Sequence, residues 1–349
     1  MKESQEERVI IYEDQPERNN KRLGMILVPV LLVLLFLGYI AYQVFVPTDS
    51  DEIILKVSQG DNAPGIARDL HKAGIIRDSN FFLLLARLKG VDRMLKAGTY
   101  NFGGRANLLQ TVDRLLEGSS IAVNVTLPEG LSLYKTLLKI AHSGIMPYDS
   151  LYAAATEPGL VERLTGRSLP SLEGFLYPET YRFELGMTAD KILEFQVAEF
   201  FKRMASAGID ARADSTFYDK LILASIVEAE TIYEDERPTV AGVYLNRLKK
   251  NMRLESCPTV DYFLEKEGIH REILLTRDIN TPSPYNTYLN AGLPPTPICN
   301  PSLSSIQAVY QPEQHNYLFF QADRQGRNVF SVTFAEHRRK MAQLPRRFE

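Results

Sequence analysis

The sequence predicts an α+β protein with one N-terminal transmembrane helix, a small βααβ module and a larger helix-rich α+β domain. Three observations support this prediction: a long uncharged apolar run near the N-terminus, a β-turn-α pattern that appears twice, and helical periodicity followed by loops rich in Pro and Asn. The 349 residues accordingly divide into a tail (1–22), a transmembrane helix (23–47), a first module (50–122), a second βα module or linker (123–165) and a C-terminal domain (166–349).

The apolar run between Leu23 and Thr48 contains no charged residue. A helix rises about 1.5 Å per residue, so about 20 such residues cross a hydrocarbon core of about 30 Å. The run exceeds the apolar core of a cleaved signal peptide, about 7–15 residues, which favours an uncleaved anchor over a signal peptide or a buried helix. Arg18, Lys21 and Arg22 precede the run and acidic residues follow it. We therefore expect the N-terminus in the cytoplasm and the remaining chain outside.

A β-turn-α unit appears twice beyond the apolar run. The first copy comprises Leu55–Gly60 and Ile66–Leu70, and a shift of 70 residues lands on Val125–Gly130 and Thr136–Ile140. In each copy an alternating strand reaches a glycine turn and an amphipathic helix follows. Completed by a further helix and strand, the first copy gives a βααβ arrangement that is similar to LysM-type glycan-binding modules. A structural spacer is an equally open alternative.

Composition and missing motifs argue against several function classes. A net charge of −3 gives no reason to expect nucleic acid as a partner. The five histidines are scattered without an HExxH pattern, which disfavours a zinc hydrolase, and no GxSxG elbow, P-loop or GxGxxG is present. Cys257 and Cys299 fit no zinc spacing, but they could form one disulfide in an oxidising compartment.

The stretch with most chemical information is a predicted helix with the sequence FYDKLILASIVEAET. Helical spacing places Glu228 on the same face as Leu221 and Ala224, so we expect its carboxyl in largely apolar surroundings. Such surroundings disfavour the charged form of a carboxyl, as a general acid requires. The alternative is a helix-end carboxylate paired with Arg237 or Arg247, and spacing alone favours this alternative.

Several long strings resemble the MltG (YceG-like) family of endolytic murein transglycosylases. In chain order they read SLEGFLYPETY from Ser171, ASIVEAE from Ala224, ERPTVAGVYLNRL from Glu236, MRLESCPTV from Met252, SPYNTY from Ser283, GLPPTPI from Gly292, and then Asn300-Pro301. Strings of this length in this order are more specific than any single motif above. The resemblance extends from the apolar run almost to the C-terminus.

The resemblance implies a single-pass inner-membrane protein with an extracytoplasmic catalytic domain. Such proteins cleave the MurNAc–GlcNAc bond of nascent peptidoglycan strands and leave 1,6-anhydro-MurNAc ends. The family's catalytic glutamate maps onto Glu228, which would protonate the glycosidic oxygen and then accept the C6 hydroxyl proton. Because that hydroxyl is the nucleophile, one carboxyl suffices where an ordinary glycosidase needs two, and no metal or cofactor is required. Glycan strands and the membrane are the expected partners, and a peptidoglycan synthase is left open.

Five further residues inside these strings are hypotheses for the substrate-binding site. Asn246, Tyr285 and Asn286 would orient the sugar and stabilise developing positive charge, whereas Glu230 and Arg247 would tune the catalytic carboxyl electrostatically. Hydrogen bonds that only fix loops are an equally open explanation for the first three.

Three positions depart from the family pattern. Cys257 stands where the family usually has Asp, which puts any role of that carboxylate in doubt, and Thr296 and Ser302 replace glycines. If those glycines adopt positive φ, each replacement would strain its loop.

Two rival functions come from other classes. One is a non-catalytic peptidoglycan-binding scaffold of the cell-wall synthesis machinery. The other is a cytoplasmic lyase that uses pyridoxal phosphate, and the apolar run and its predicted orientation argue against it.

Overall fold

A computed structural model describes residues 20–50, 53–58, 60–96, 98–118 and 122–343. The chain divides into two compact units, Met1–Ser119 and Ser120–Glu349. Both units mix helices with short two-stranded antiparallel sheets, so the predicted α+β class is confirmed. The predicted tail lies outside the described residues up to residue 19.

The first helix, α1 (Asn20–Phe45), contains the predicted membrane span. Its stretch Leu27–Phe45 is long and apolar enough to cross a membrane, and its large apolar side chains are exposed. A helix that is apolar all round belongs in a protein core or in a membrane. Because α1 lies near the N-terminus, it fits a single-pass anchor or a signal sequence.

The first unit continues as a small module with its own core. Its elements are β1 (Thr48–Ser50), β2 (Ile54–Val57), α2 (Ala63–Lys72), α3 (Ser79–Leu88), β3 (Gly98–Asn101), β4 (Gly104–Ala106) and α4 (Leu108–Glu117). Strand β2 pairs antiparallel with β3, and β1 pairs with β4. Leu70, Phe82, Tyr100 and Leu115 are fully buried in the core between them. The predicted order βααβ is present in β2-α2-α3-β3, and its likeness to LysM modules stays a prediction.

The second unit is larger and mostly helical. Its elements are β5 (Ala122–Thr126), α5 (Leu133–His142), α6 (Tyr148–Ala155), α7 (Pro158–Thr165), β6 (Thr180–Glu184), α8 (Ala189–Ser206), α9 (Phe217–Glu230), α10 (Arg237–Lys249), α11 (Cys257–Lys266), α12 (Thr276–Ile279), α13 (Leu303–Tyr310), β7 (Phe319–Ala322), β8 (Asn328–Ser331) and α14 (Phe334–Gln343). Strand β5 pairs antiparallel with β6, and β7 and β8 form a hairpin.

The second copy of the β-turn-α unit shares the core of this large unit. Strand β5 pairs with β6 over its whole length. Leu137 and Ile140 of α5 are fully buried in the same core as Phe175 and Phe183. The glycine turn between β5 and α5 is therefore held against the helices of the second unit.

Helix α9 is the central helix of the second unit. Residues Leu221–Val227 are all buried, because α10, α11 and α13 pack around it. Its burial therefore extends round the whole helix rather than along one stripe. The last turn, which carries Glu228, reaches the edge of the core, as does the first turn at Asp219.

Candidate active site

Glu228 lines an open cleft of about 820 Å³ in the second unit. The cleft is formed by the turn after β5, the C-terminal end of α9 and the β7–β8 hairpin. Its other lining residues are Pro128, Glu129, Ala229, Glu230, Thr231, Ile232, Arg237, Ala322 and Gly326. The side chain of Glu228 is 6% exposed, so only a small part of its carboxyl meets the cleft.

Four hydrogen bonds hold the Glu228 carboxylate. Its Oε1 accepts one from Arg237 Nη2 at 3.0 Å. Its Oε2 accepts three, from Ser302 N at 2.9 Å, Ser302 Oγ at 2.6 Å and Ser305 Oγ at 2.7 Å. Because a carboxylate oxygen has about two lone pairs, Oε2 is fully occupied and Oε1 has room for a further partner. Oε1 is therefore the atom that can exchange a proton with a ligand in the cleft.

The expected apolar surroundings of Glu228 are wrong for the carboxyl itself. Leu221 and Ala224 are fully buried on its helix face, but the carboxyl points to Arg237 and to the start of α13. That helix begins directly after Ser302, and the unpaired N–H groups of a helix N-terminus attract an anion. The alternative pairing with Arg237 is therefore present in the structure.

Arg237 connects the groups on this side of the cleft. Its side chain is buried, and α10 begins at this residue with Pro238 in the first turn, where a missing N–H costs nothing. Besides Glu228, its guanidinium donates to Ser302 Oγ at 2.8 Å and to Ser304 Oγ. A buried guanidinium needs opposite charge and hydrogen-bond acceptors, and Glu228 supplies both. Their hydrogen bond therefore fixes the orientation of Glu228 Oε1.

A second carboxyl group, Glu129, lines the same cleft. It lies in the turn after β5, its side chain is 50% exposed, and its Oε2 is 3.7 Å from Arg237 Nη2. Partial burial, and next the negative charge of Glu228, raise the pKa of Glu129 above its ordinary value. Sequence reasoning treated this position only as part of a repeated turn. A glutamate beside a turn glycine was the only signal available.

Glu230 lines the cleft as well, but its carboxyl is bonded inward. It accepts hydrogen bonds from Tyr244 Oη at 2.7 Å and Ser256 Oγ at 2.6 Å. Burial raises the pKa of the Glu230 carboxyl, and the positive charge of Arg247 acts in the opposite direction. Arg247 itself does not line the cleft and donates to backbone oxygens, including that of Leu318 at 2.6 Å. Its ion-pair partner is Glu255, at 3.2 Å, and its positive charge also acts on Glu230.

The other three predicted residues are not among those that line the cleft. Asn246 Nδ2 donates to the carbonyl oxygen of His315 at 2.8 Å. The buried Asn286 donates to two backbone oxygens of its own loop at 3.0 and 2.8 Å. The hydroxyl of Tyr285 hydrogen-bonds to Thr296 Oγ1 at 3.0 Å. The structure thus brings Glu230 together with the catalytic candidate, whereas these three residues hold loops in place.

Backbone strain is absent at Ser302 and Thr296. Ser302 is the N-cap of α13 with φ −67° and ψ 163°, an ordinary extended conformation. Among the described residues, the non-glycine positions with positive φ are Asn251 and Glu255. Ser302 therefore lies without the strain that the sequence led us to expect, and its hydroxyl contacts Glu228.

Both cysteines are free thiols, so the disulfide that the sequence left open does not form here. Cys257 is exposed, with its sulfur 3.0 Å from Tyr288 Oη, and Cys299 is buried. Within the described ranges, no group of three or more His, Cys, Asp and Glu side chains is arranged to hold a metal ion.

Comparisons with known proteins give one consistent result. The model of the YceG-like family matches residues 55–343. A Bacillus subtilis (strain 168) protein named endolytic murein transglycosylase is 28% identical over 311 residues, which cover 83% of this chain and 85% of that protein. A protein with the same name from Streptococcus pneumoniae (strain D39) is 27% identical, and the match covers 88% of this chain but 62% of the pneumococcal protein. The 2.6 Å crystal structure of a YceG-like protein from Listeria monocytogenes matches with a TM-score of 0.57 and 29% identity, covering 84% of this chain and 100% of that one.

Proposed function

The chain belongs to the YceG-like family, and from this premise we propose that it is an endolytic lytic transglycosylase of peptidoglycan. It cleaves the MurNAc–GlcNAc bond within nascent glycan strands without water and leaves 1,6-anhydro-MurNAc ends. The names of relatives that align with most of the chain support the substrate and the reaction class. The pneumococcal relative is longer, and the match covers 62% of it.

The observation that carries the proposal is the position of Glu228 Oε1. It belongs to a nearly buried carboxyl, it is the oxygen with a free hydrogen-bonding position, and the residue lines an open cleft. Binding sites for small ligands measure roughly 300–1,000 Å³, so a cleft of about 820 Å³ has room for a short run of sugar rings. An open cleft also suits an enzyme that cuts inside a strand, because the polymer continues on both sides of the cut.

In the proposed reaction Glu228 acts first as acid and then as base. Its Oε1 gives a proton to the glycosidic oxygen, and the electrons of the C1–O bond leave with that oxygen. The C6 oxygen then bonds to C1 while its proton returns to Oε1. The four donors around Glu228 suit the carboxylate that exists between these transfers. Arg237 holds Oε1 in place throughout.

The remaining predicted residues receive more limited roles. Glu230 supports the floor of the cleft through Tyr244 and Ser256. Asn246, Tyr285 and Asn286 shape the site by fixing loops, and Arg247 offsets the charge of Glu230. These roles need no direct contact with the sugar.

The location of the enzyme follows from α1. We propose that Leu27–Phe45 anchors the protein in the plasma membrane with the N-terminus in the cytoplasm, because basic residues precede the span. The second unit is then extracytoplasmic, where peptidoglycan lies. The small module of the first unit is proposed to bind glycan in the manner of LysM modules.

The test is digestion of purified glycan strands with the full chain and with Glu228→Gln. We expect anhydro ends from the wild type and no cleavage by the variant, with glycan binding retained. Glu162→Gln, at an exposed position of α7, is the matched control and should cleave normally. Binding without cleavage by the wild type would contradict the proposal and favour the scaffold function.

A further inference from the structure

Glu129 lies close to the reacting oxygen of Glu228. Arg237 Nη2 is 3.0 Å from Glu228 Oε1 and 3.7 Å from Glu129 Oε2, so these two oxygens are at most about 6.7 Å apart. The paired carboxyl groups of glycosidases are about 5–5.5 Å apart in retaining enzymes and about 6.5–9.5 Å in inverting enzymes. The upper limit of the Glu129–Glu228 separation therefore allows both carboxyls to reach one sugar ring.

The turn that carries Glu129 is fixed to the segment that holds Glu228. Gly130 N donates to Asn300 O at 3.0 Å, and Asn300 N donates to Leu131 O at 2.8 Å. Two residues later in the chain, Ser302 binds the Glu228 carboxylate. Gly130 has φ +74°, which favours glycine, and a Cβ at this position would lie 3.6 Å from Glu228 Cγ. The backbone of the turn that carries Glu129 is thus anchored beside Glu228 before any ligand binds.

Glu129 differs in its exposure from Glu230, the other acidic residue beside Glu228. The carboxyl of Glu230 is occupied by two hydroxyl donors. Glu129 is half exposed, and its contact with Arg237 is a loose one at 3.7 Å. Of the carboxyls described in the cleft lining, Glu129 is therefore the one, besides Glu228, that a sugar can reach.

We propose that Glu129 is a second catalytic carboxylate, which stabilises the positive charge that develops at C1 as the glycosidic bond breaks. This inference rests on the proposed function and deepens it. Glu129 forms no bond to the sugar and transfers no proton: the C6 oxygen supplies the electron pair for the new bond, and Glu228 handles both protons. A negative group placed beforehand next to a developing cation is among the strongest contributions to catalysis.

The repeated β-turn-α unit of the sequence indicates which residue can replace Glu129. The shift of 70 residues that superposes the two β-turn-α copies aligns Glu129 with Gln59. Glu129→Gln therefore gives the second copy the uncharged amide that the first copy has. The variant keeps the size of the side chain and removes its charge.

The experiment measures kcat and KM on glycan strands for the wild type, Glu129→Gln and Glu129→Asp. We expect Glu129→Gln to lower kcat about 10²-fold with KM within about threefold, and Glu129→Asp to recover part of kcat because it keeps the charge. Glu234→Gln is the matched control. Glu234 also pairs with Arg237, through Nη1 at 3.4 Å, but it is 72% exposed and lines a different cavity. This control should stay within about twofold of the wild type.

A binding measurement supplies a readout that a structural role would not change. A cationic iminosugar oligosaccharide should bind at least about tenfold more weakly to Glu129→Gln, while a neutral strand fragment binds unchanged. An active Glu129→Gln with normal kcat, or equal losses for both ligands, would overturn the inference and leave the proposed function standing. An inactive wild type would instead overturn the proposed function.

Discussion

Ser302 binds Glu228 twice, through its backbone N–H at 2.9 Å and through its hydroxyl at 2.6 Å, both to Oε2. The same hydroxyl caps α13 by accepting from Ser305 N at 3.3 Å. The sequence resemblance led us to expect glycine at position 302, and a glycine would keep the backbone contact and lose the hydroxyl contact. The serine is therefore an added support for Glu228.

Ser302→Gly is expected to weaken this support without abolishing activity. The backbone N–H to Glu228 remains, so kcat should fall less than about tenfold, and stability should fall by about 1.5–3 kcal/mol for a lost hydrogen bond to a charged group. Thr188→Gly is the control, because it removes only the N-cap hydrogen bond of α8. It should lower the free energy of unfolding by less than about 1 kcal/mol. Denaturant unfolding and steady-state kinetics test this. A loss of activity as large as that of Glu228→Gln would contradict it.

Arg237→Leu is expected to destabilise the second unit strongly. It leaves Glu228 buried without its ion pair, and breaking a buried pair costs about 3–5 kcal/mol. In the Glu228→Gln background no buried carboxylate is left unpaired, because Glu129 and Glu234, the other partners of Arg237, are exposed to solvent. The same change should therefore cost less by at least about 1 kcal/mol. Urea unfolding of the four proteins measures this coupling. Equal costs in both backgrounds would show that the ion pair contributes little.

Asn300 links three segments around the cleft, and its side chain should contribute mainly to stability. The side chain accepts from Leu176 N at 3.0 Å and donates to Leu131 O at 3.0 Å and Thr136 Oγ1 at 3.1 Å. Asn300→Ala removes these three bonds and should cost about 2–4 kcal/mol, since each unmade buried hydrogen bond costs about 1–3 kcal/mol. The backbone bonds that attach the Glu129 turn to Asn300 remain in the variant, so kcat of the folded variant should stay close to that of the wild type. Denaturant unfolding and steady-state kinetics measure both effects, and a large loss of kcat in the folded variant would contradict the second.

The stability of the second unit should depend on pH through Glu173. Burial raises the pKa of this carboxyl from 4.5 to about 7, although Leu133 N and Tyr262 Oη donate to it. Between pH 4.5 and 7 the unfolded chain therefore ionises while the folded protein keeps the proton. Folding stability should thus decrease as pH rises through this window, by about 3 kcal/mol, and stay level above it.

Glu173→Gln is the control for this pH dependence. The amide keeps a similar shape and cannot ionise, so the difference in unfolding free energy between pH 4.5 and pH 7.5 should shrink by most of that amount. Lys266 and Glu265 also act on Glu173 electrostatically and remain in both proteins. An unchanged pH profile would show that other groups are responsible.

Local patterns predicted the central helix of the second unit well. The predicted helix FYDKLILASIVEAET is observed as Phe217–Glu230. Apolar periodicity and turn residues determine such elements over short distances, so the sequence is enough. The same reasoning failed for the surroundings of Glu228. Periodicity describes a helix face but not the residues that pack against it from elsewhere.

The contacts around the catalytic candidate could not be found by spacing. Glu129, Arg237 and Ser302 are far apart in the chain and meet because β5 pairs with β6 and α13 packs on α9. Polar side chains give a similar problem, since Asn246 on α10 and Asn286 in a loop have the same side chain whether it binds a sugar or a backbone carbonyl. Only the folded arrangement separates these two uses.

The proposed reaction requires that the C6 hydroxyl of the sugar, and not water, closes on C1 after Glu228 gives up its proton. Digestion of glycan strands in water enriched in heavy oxygen, followed by mass spectrometry of the new ends, distinguishes these two nucleophiles. We predict anhydro ends that carry no label from the wild type and no new ends from Glu228→Gln. Labelled reducing ends would identify water as the nucleophile and contradict the proposed mechanism.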